Sequence, residues 1–69
     1  MEHKWMLMTD NSDRVEHSSP SYSAAFTAAI RELYRLGIVP DNTKNDSDDD
    51  KWTSLMHEGF QVARIWRCY

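Results

Sequence analysis

The chain has 69 residues, with eight basic and eleven acidic side chains and a formal net charge of −3. A domain of this size buries only ~60% of the surface that its unfolded chain exposes, so a deep catalytic pocket is not expected. The single cysteine, Cys68, excludes an internal disulfide and a cysteine-based zinc site, and the acidic balance argues against a general nucleic-acid binder.

The first elements in chain order are two short strand candidates. Residues 4–9 form a short apolar run that is closed by the turn-forming residues 10–13. We predict a strand at 4–9 and a brief second strand at 14–17 that returns beside it.

The clearest signal in the chain is a helix over residues 21–36. Ser18 and Ser19 offer capping hydroxyls, and Pro20 suits the first helical position because its missing N–H has no partner there. Gly37 supplies the left-handed residue that ends a helix. Apolar residues recur at helical spacing and predict one core-facing stripe, made by Phe26, Ala29, Ile30, Leu33 and Leu36.

The segment between the helix and the chain end is less regular. Residues 41–50 contain five aspartates and almost nothing apolar, which predicts a solvated, mobile acidic loop. Residues 51–58 fit either a short helix capped by these aspartates or a strand that turns at Glu58-Gly59 into the last strand. We favour the helical turn.

The last residues, 60–69, combine β-branched and aromatic side chains with two arginines and no acidic residue, which predicts a strand. Alternation divides this strand into two faces, with Phe60, Val62, Arg64 and Trp66 on one and Gln61, Ala63, Ile65, Arg67 and Tyr69 on the other. We therefore expect an α+β domain spanning 1–69, in which one α-helix packs on one face of a small antiparallel sheet of about three strands.

One helix covers only one face of a small sheet. Whichever side of the last strand faces the helix, the other side would show an arginine next to an aromatic residue on the uncovered face. These residue types are enriched at binding hot spots, which favours a contact surface. A structural role is equally compatible with the pattern: Trp66 or Tyr69 would wrap the small core, and the arginines would keep the protein soluble.

Catalytic and metal-binding patterns are weak. His3, His17 and His57 are scattered without the spacing of metal ligands. The aspartates of 46–50 imitate the opening of a calcium loop, but the turning glycine and the bidentate glutamate are missing. We therefore expect a non-enzymatic protein without metal or cofactor.

The chain also lacks the patterns of a membrane or secreted protein. No apolar run approaches the ~20 residues that span a bilayer. Residues 1–4 lack the basic stretch and apolar core of a signal peptide. Together with the lone cysteine, this predicts a cytoplasmic protein without membrane contact. We also expect a monomer.

The order of elements resembles that of a family of small inhibitors of host bacterial RNA polymerase from T7-like bacteriophages, the gene product 2 family. The last strand is similar to the family's run Gly-Phe-Glu-Val-Thr-Arg-Val-Arg-Pro-Cys, and the identical residues are Gly59, Phe60, Val62, Arg64 and Cys68. Near the start, Lys4-Trp5 followed by 10–13 is similar to a Lys-Phe strand start followed by Glu-Ser-Ser-Glu.

The resemblance implies a non-enzymatic inhibitor in the host bacterial cytoplasm. It would dock on the jaw of the polymerase β′ subunit within the downstream DNA channel, obstruct promoter DNA and hold the acidic N-terminal region of the sigma factor in an unproductive position. No direct contact with nucleic acid is expected.

The resemblance also implies a set of partner-binding residues. The family's essential arginine on the last strand matches Arg64, and its second functional arginine falls on Trp66. Arg67 would point to the opposite face unless a bulge re-aims it. Acidic residues of the first strand pair also act in the family; Asp10 matches by position and Glu16 more loosely.

Two alternatives stay open. A phage protein of the same architecture could bind another host nucleic-acid enzyme, such as a defence effector, through DNA mimicry by the acidic loop 41–50. An open sheet with aromatic and basic residues could also bind single strands of nucleic acid, although the net charge of −3 disfavours this.

Overall fold

The computed structural model describes residues 2–9, 14–45 and 52–67. The elements in chain order are β1 (His3–Leu7), β2 (His17–Ser19), α1 (Tyr22–Arg35), β3 (Asn42–Asn45), β4 (Trp52–His57) and β5 (Phe60–Arg67). The strands form one antiparallel sheet in the order β2-β1-β5-β4-β3. The α+β class with one helix is confirmed, but the sheet has five strands rather than about three, and β5 lies at its centre.

The first two strands pair as predicted, with a shift in the second. β2 lies beside β1, where Trp5 pairs with His17 and their rings stack at 4.3 Å. It begins three residues later than the predicted strand at 14–17. Arg14 has a φ of 52°, and this left-handed backbone is incompatible with an extended strand at that position.

Helix α1 lies where the apolar pattern predicts it, but its start is capped differently. The N-cap is Ser21, whose Oγ accepts a hydrogen bond of 3.1 Å from the amide of Ala24. The predicted caps, Ser18 and Ser19, lie in β2 instead. Pro20 therefore precedes the cap and does not open the helix.

The end of α1 follows the glycine motif that the sequence predicts. Gly37 has a φ of 79°, and its amide donates to the carbonyl oxygen of Tyr34 at 3.0 Å. The amide of Ile38 donates to the carbonyl oxygen of Leu33 at 2.9 Å. This pair of hydrogen bonds satisfies carbonyls that the helix end would otherwise leave without partners.

The core lies between α1 and one face of the sheet. Its buried apolar residues are Trp5, Ala25, Ala29, Leu33, Leu55, Val62, Ala63 and Ile65. The predicted stripe is correct at Ala29 and Leu33, which are buried, and at Phe26 and Ile30, which are partly buried against the core. Leu36 is 42% exposed because it is the C-cap, beyond the last packed turn. Ala25 is fully buried, and its small side chain allows α1 to approach the sheet closely.

The hairpin of β3 and β4 corrects two predictions. Residues 42–45, placed in the mobile acidic loop, form the edge strand β3, in which every residue is exposed. Residues 46–50 of that loop lie outside the described residues. Residues 52–57 form β4, so the favoured helical turn is wrong and the strand alternative is correct. Glu58 and Gly59, with φ values of 51° and 85°, make the turn into β5.

Residues 52–57 form a strand because their buried side chains recur at every second position. Thr53 and Leu55 are buried, while Trp52 and Ser54 are only partly buried. This period of two is typical of a strand with one core-facing side.

Among the described residues, no helix is long and apolar enough to cross a membrane.

Candidate functional site

The sheet has one side under α1 and one side that the helix leaves uncovered. Successive residues of a strand point to opposite sides. In β5, Ala63 and Ile65 are fully buried and therefore lie on the helix side. Arg64 and Trp66, which alternate with them, lie on the uncovered side and are partly buried.

The strand register extends the uncovered side across the whole sheet, because residues that pair directly share a side. One cross-strand row consists of Lys4, Trp66 and Trp52, with Ser18 of β2 beside Lys4 at its rim. The next row consists of Met6, Arg64, Ser54 and Lys44. We call the surface formed by these seven residues the open face.

Arg64 and Trp52 make the closest described contact on the open face. The Cζ of Arg64 lies 3.9 Å from the centroid of the Trp52 ring, which is a cation–π arrangement. The guanidinium therefore lies against the sheet and covers one side of the indole.

The open face is positively charged in a chain that is acidic overall. It carries Lys4, Lys44 and Arg64 and none of its seven residues is acidic, whereas the net charge of the chain is −3. Glu16 lies at the rim, with its Oε2 3.5 Å from the Nζ of Lys4. Because the Glu16 side chain is 57% exposed, this ion pair is weak and the face keeps an excess of positive charge.

A β-bulge modifies the predicted alternation of β5. Leu55 pairs with Ala63 but the next residue, Met56, pairs with Gln61, so Val62 is the additional residue. The Nε2 of Gln61 donates a hydrogen bond of 2.6 Å to Oγ of Ser54 on the open face. Strict alternation predicted that Gln61 and Ala63 lie on the same side of the sheet. In the structure they lie on opposite sides.

The structure brings together only part of the predicted binding set. Arg64 and Trp66 lie side by side on the open face, and Glu16 joins its rim through Lys4. Arg67 follows Trp66 and lies on the helix side, because the bulge precedes Arg64 and does not re-aim it. Asp10 lies outside the described residues.

Sequence reasoning missed Trp52 and Lys44 as members of the site. Both lie in segments that the composition assigned to a loop or a helical turn. Once 52–57 is known to be a strand, the alternation of Thr53 and Leu55 with Trp52 places Trp52 on the same strand face as Ser54. Nothing in the polar run of 42–45 indicates where Lys44 lies.

Other polar features of the described residues include a histidine contact and an open recess. No group of three or more His, Cys, Asp or Glu side chains in the described ranges could hold a metal ion. His57 Nδ1 contacts the carbonyl oxygen of Val39 at 2.7 Å, which joins β4 to the chain after α1. An open recess of about 360 Å³ near β2 is lined by Glu2, Ser18, Ser19 and Pro20.

A comparison with protein families, with characterised proteins and with solved structures finds no match for this chain.

Proposed function

We propose that this chain is a non-enzymatic inhibitor that binds a host bacterial RNA polymerase through the open face. The observation that carries the proposal is the grouping of Arg64, Trp66 and Trp52 on an uncovered, positively charged sheet surface. Arginine and tryptophan are enriched in the residues that dominate binding energy at protein interfaces. The resemblance of residues 59–68 to the phage inhibitor family supports the jaw of the β′ subunit as the surface that is bound.

The size of the molecule fits a protein partner. A standard interface buries about 800 Å² on each partner. The chain exposes 4653 Å², so such an interface covers roughly a sixth of its surface. One side of a molecule measuring 31 × 23 × 17 Å can supply this area. We therefore infer that the open face and its rim form the whole docking surface.

Charge distribution provides the inhibitory mechanism. Docking would cover Lys4, Lys44 and Arg64 against an acidic protein surface. The surface that remains exposed would then be more acidic than the net charge of −3 indicates. In the downstream DNA channel, this surface would repel DNA phosphates and obstruct promoter entry.

Reversal of one charge tests the proposal. Tagged wild-type protein and the variant Arg64→Glu are compared for binding to purified bacterial RNA polymerase and for inhibition of promoter-dependent transcription. Because Arg64 would face carboxylates at the centre of the interface, we expect Arg64→Glu to weaken binding at least ~30-fold and to relieve inhibition.

The matched control is Arg31→Glu. Arg31 is an exposed residue of α1, the element that packs on the side of the sheet away from the open face. The same charge change at this position should leave binding and inhibition near the wild-type level. Absence of binding by the wild type, or equal binding by both variants, would contradict the proposed function.

A further inference from the structure

The contact between Arg64 and Trp52 joins two neighbouring strands. Trp52 in β4 pairs directly with Trp66 in β5, and Arg64 lies one pleat away on the same side. The distance of 3.9 Å from Cζ to the ring centroid places the guanidinium over the face of the indole. Trp52 therefore restricts the orientation of Arg64.

One donor of Arg64 has no acceptor within the described residues. The Nε is buried and has no hydrogen-bond acceptor. Described ion pairs join Lys4 to Glu16, Arg35 to Glu32 and His57 to Glu58, and none of these pairs includes Arg64. The neighbouring hydroxyl of Ser54 already accepts a hydrogen bond from Gln61. A buried donor without an acceptor is explained by strain, by a bound water or ion, or by a functional contact.

Stacking and hydrogen bonding use different parts of a guanidinium. Its five N–H donors lie in the molecular plane, whereas an aromatic ring contacts the plane's flat side. Trp52 can therefore hold the group and leave its in-plane donors available. A carboxylate fits two of these donors at once, and fixing the group beforehand lowers the entropy lost on binding.

We propose that Trp52 is a positioning residue of the open face, which holds Arg64 to receive one aspartate or glutamate side chain of the partner protein in a bidentate pair. This inference rests on the proposed function and assigns a role that the sequence resemblance gives to no residue of β4. The partner segment is an acidic residue with an apolar neighbour, which packs on Trp66 and Met6. The net charge of −3 favours a local carboxylate over a polyanionic nucleic-acid strand.

The experiment compares Trp52→Leu and Trp52→Phe for affinity to purified bacterial RNA polymerase, with far-ultraviolet circular dichroism and thermal unfolding as checks of the fold. Leucine removes the aromatic face, so we expect about tenfold weaker binding. Phenylalanine retains an aromatic face and should restore most of the affinity. In an Arg64→Met background, Trp52→Leu should have no further effect, because the group that it positions is gone.

Nuclear magnetic resonance provides a readout that does not depend on the polymerase. The ring current of Trp52 should shift the Arg64 Nε–H proton upfield in the free wild-type protein. Trp52→Leu should remove this shift, and Trp52→Phe should retain part of it. A wild-type protein without the upfield shift would overturn the inference.

The possible results separate the two proposals. If wild type fails to bind the polymerase, the proposed function and the role of Trp52 fall together. If wild type binds and a folded Trp52→Leu binds equally well, only the role of Trp52 is overturned. An equal effect of Trp52→Leu in the Arg64→Met background would mean that Trp52 contacts the partner directly, which also overturns the positioning role.

Two further measurements test the chemistry of Arg64 and of its ligand. If Trp52→Leu does not fold, Arg64→Lys tests the same chemistry, since lysine keeps the charge and lacks the planar fork. Arg64→Lys should bind about tenfold more weakly, and wild-type affinity would overturn the bidentate pair. A short oligothymidine should not bind the free protein in a gel shift at low salt; a complex that Arg64→Glu abolishes would show that the open face binds phosphates and would overturn the carboxylate ligand.

Discussion

At the scale of single residues, Ser21 shows how one hydroxyl defines the start of α1. Its Oγ accepts the amide hydrogen of Ala24 at 3.1 Å, and the amide would otherwise lack an intrahelical acceptor. We expect Ser21→Ala to lower the free energy of unfolding by about 1 kcal/mol, measured by urea denaturation.

The control for this prediction is Ser23→Ala. Ser23 is an exposed residue inside α1, where alanine has the higher helix propensity. This variant should be neutral or slightly more stable than the wild type. Equal destabilisation by Ser18→Ala would favour the capping role that the sequence predicted for that serine over the role observed for Ser21.

At the scale of elements, Thr53 joins α1 to both strands of the β3–β4 hairpin. Its Oγ accepts a hydrogen bond of 3.0 Å from the Tyr22 hydroxyl and donates one of 3.0 Å to Oδ1 of Asn45. Thr53 is only 6% exposed, whereas Tyr22 and Asn45 are exposed, so these hydrogen bonds are partly shielded from water. The edge strand β3, whose residues are all exposed, is therefore held by its backbone pairing with β4 and by this side-chain contact.

Replacement of Thr53 by valine tests this attachment. Valine keeps the shape and removes the hydroxyl, so we expect a loss of about 1 kcal/mol in unfolding free energy. Amide hydrogen exchange should accelerate more in β3 than in β5, because β3 lies at the sheet edge and β5 is paired on both sides. Thr43→Val, at an exposed β3 position, is the control and should change neither quantity much. Uniform acceleration in all strands by Thr53→Val would contradict a local role.

The strands of the same hairpin are the part of the fold that the sequence did not predict. The helix and the last strand were predictable because local spacing, the glycine at 37 and the β-branched run each favour one structure. Residues 42–45 contain no apolar signal, and their strand depends on pairing with β4, which is a tertiary contact. The six residues of β4 are too few to separate a period of two from a period of 3.6.

The candidate site was predictable in part for the same reason. Arg64 and Trp66 could be placed on one side of a strand by alternation alone. The side covered by α1 could not be chosen without tertiary contacts, and the bulge at Val62 changed the alternation at Gln61. Trp52 joined the site only through the pairing of β4 with β5.

At the scale of the whole molecule, the separation of charge predicts a salt-dependent association. An acidic chain with a positive open face would be oriented by the field of an acidic partner surface, and dissolved salt screens this field. The rate of association with RNA polymerase should therefore fall as sodium chloride rises, while the rate of dissociation should change less. Stopped-flow or surface plasmon resonance measurements separate the two rates.

Lys44 tests whether the field of the open face, and not the total charge, directs the approach. It is an exposed residue of the edge strand β3, at the end of the row that contains Arg64. Lys44→Gln should slow association about twofold at low salt, with dissociation nearly unchanged, because a rim charge acts mainly before contact is complete. Arg31→Gln makes the same change in net charge on the exposed part of α1 and should leave the association rate near that of the wild type. Equal slowing by the two variants would show that total charge governs association, and the field of the open face would then have no directing role.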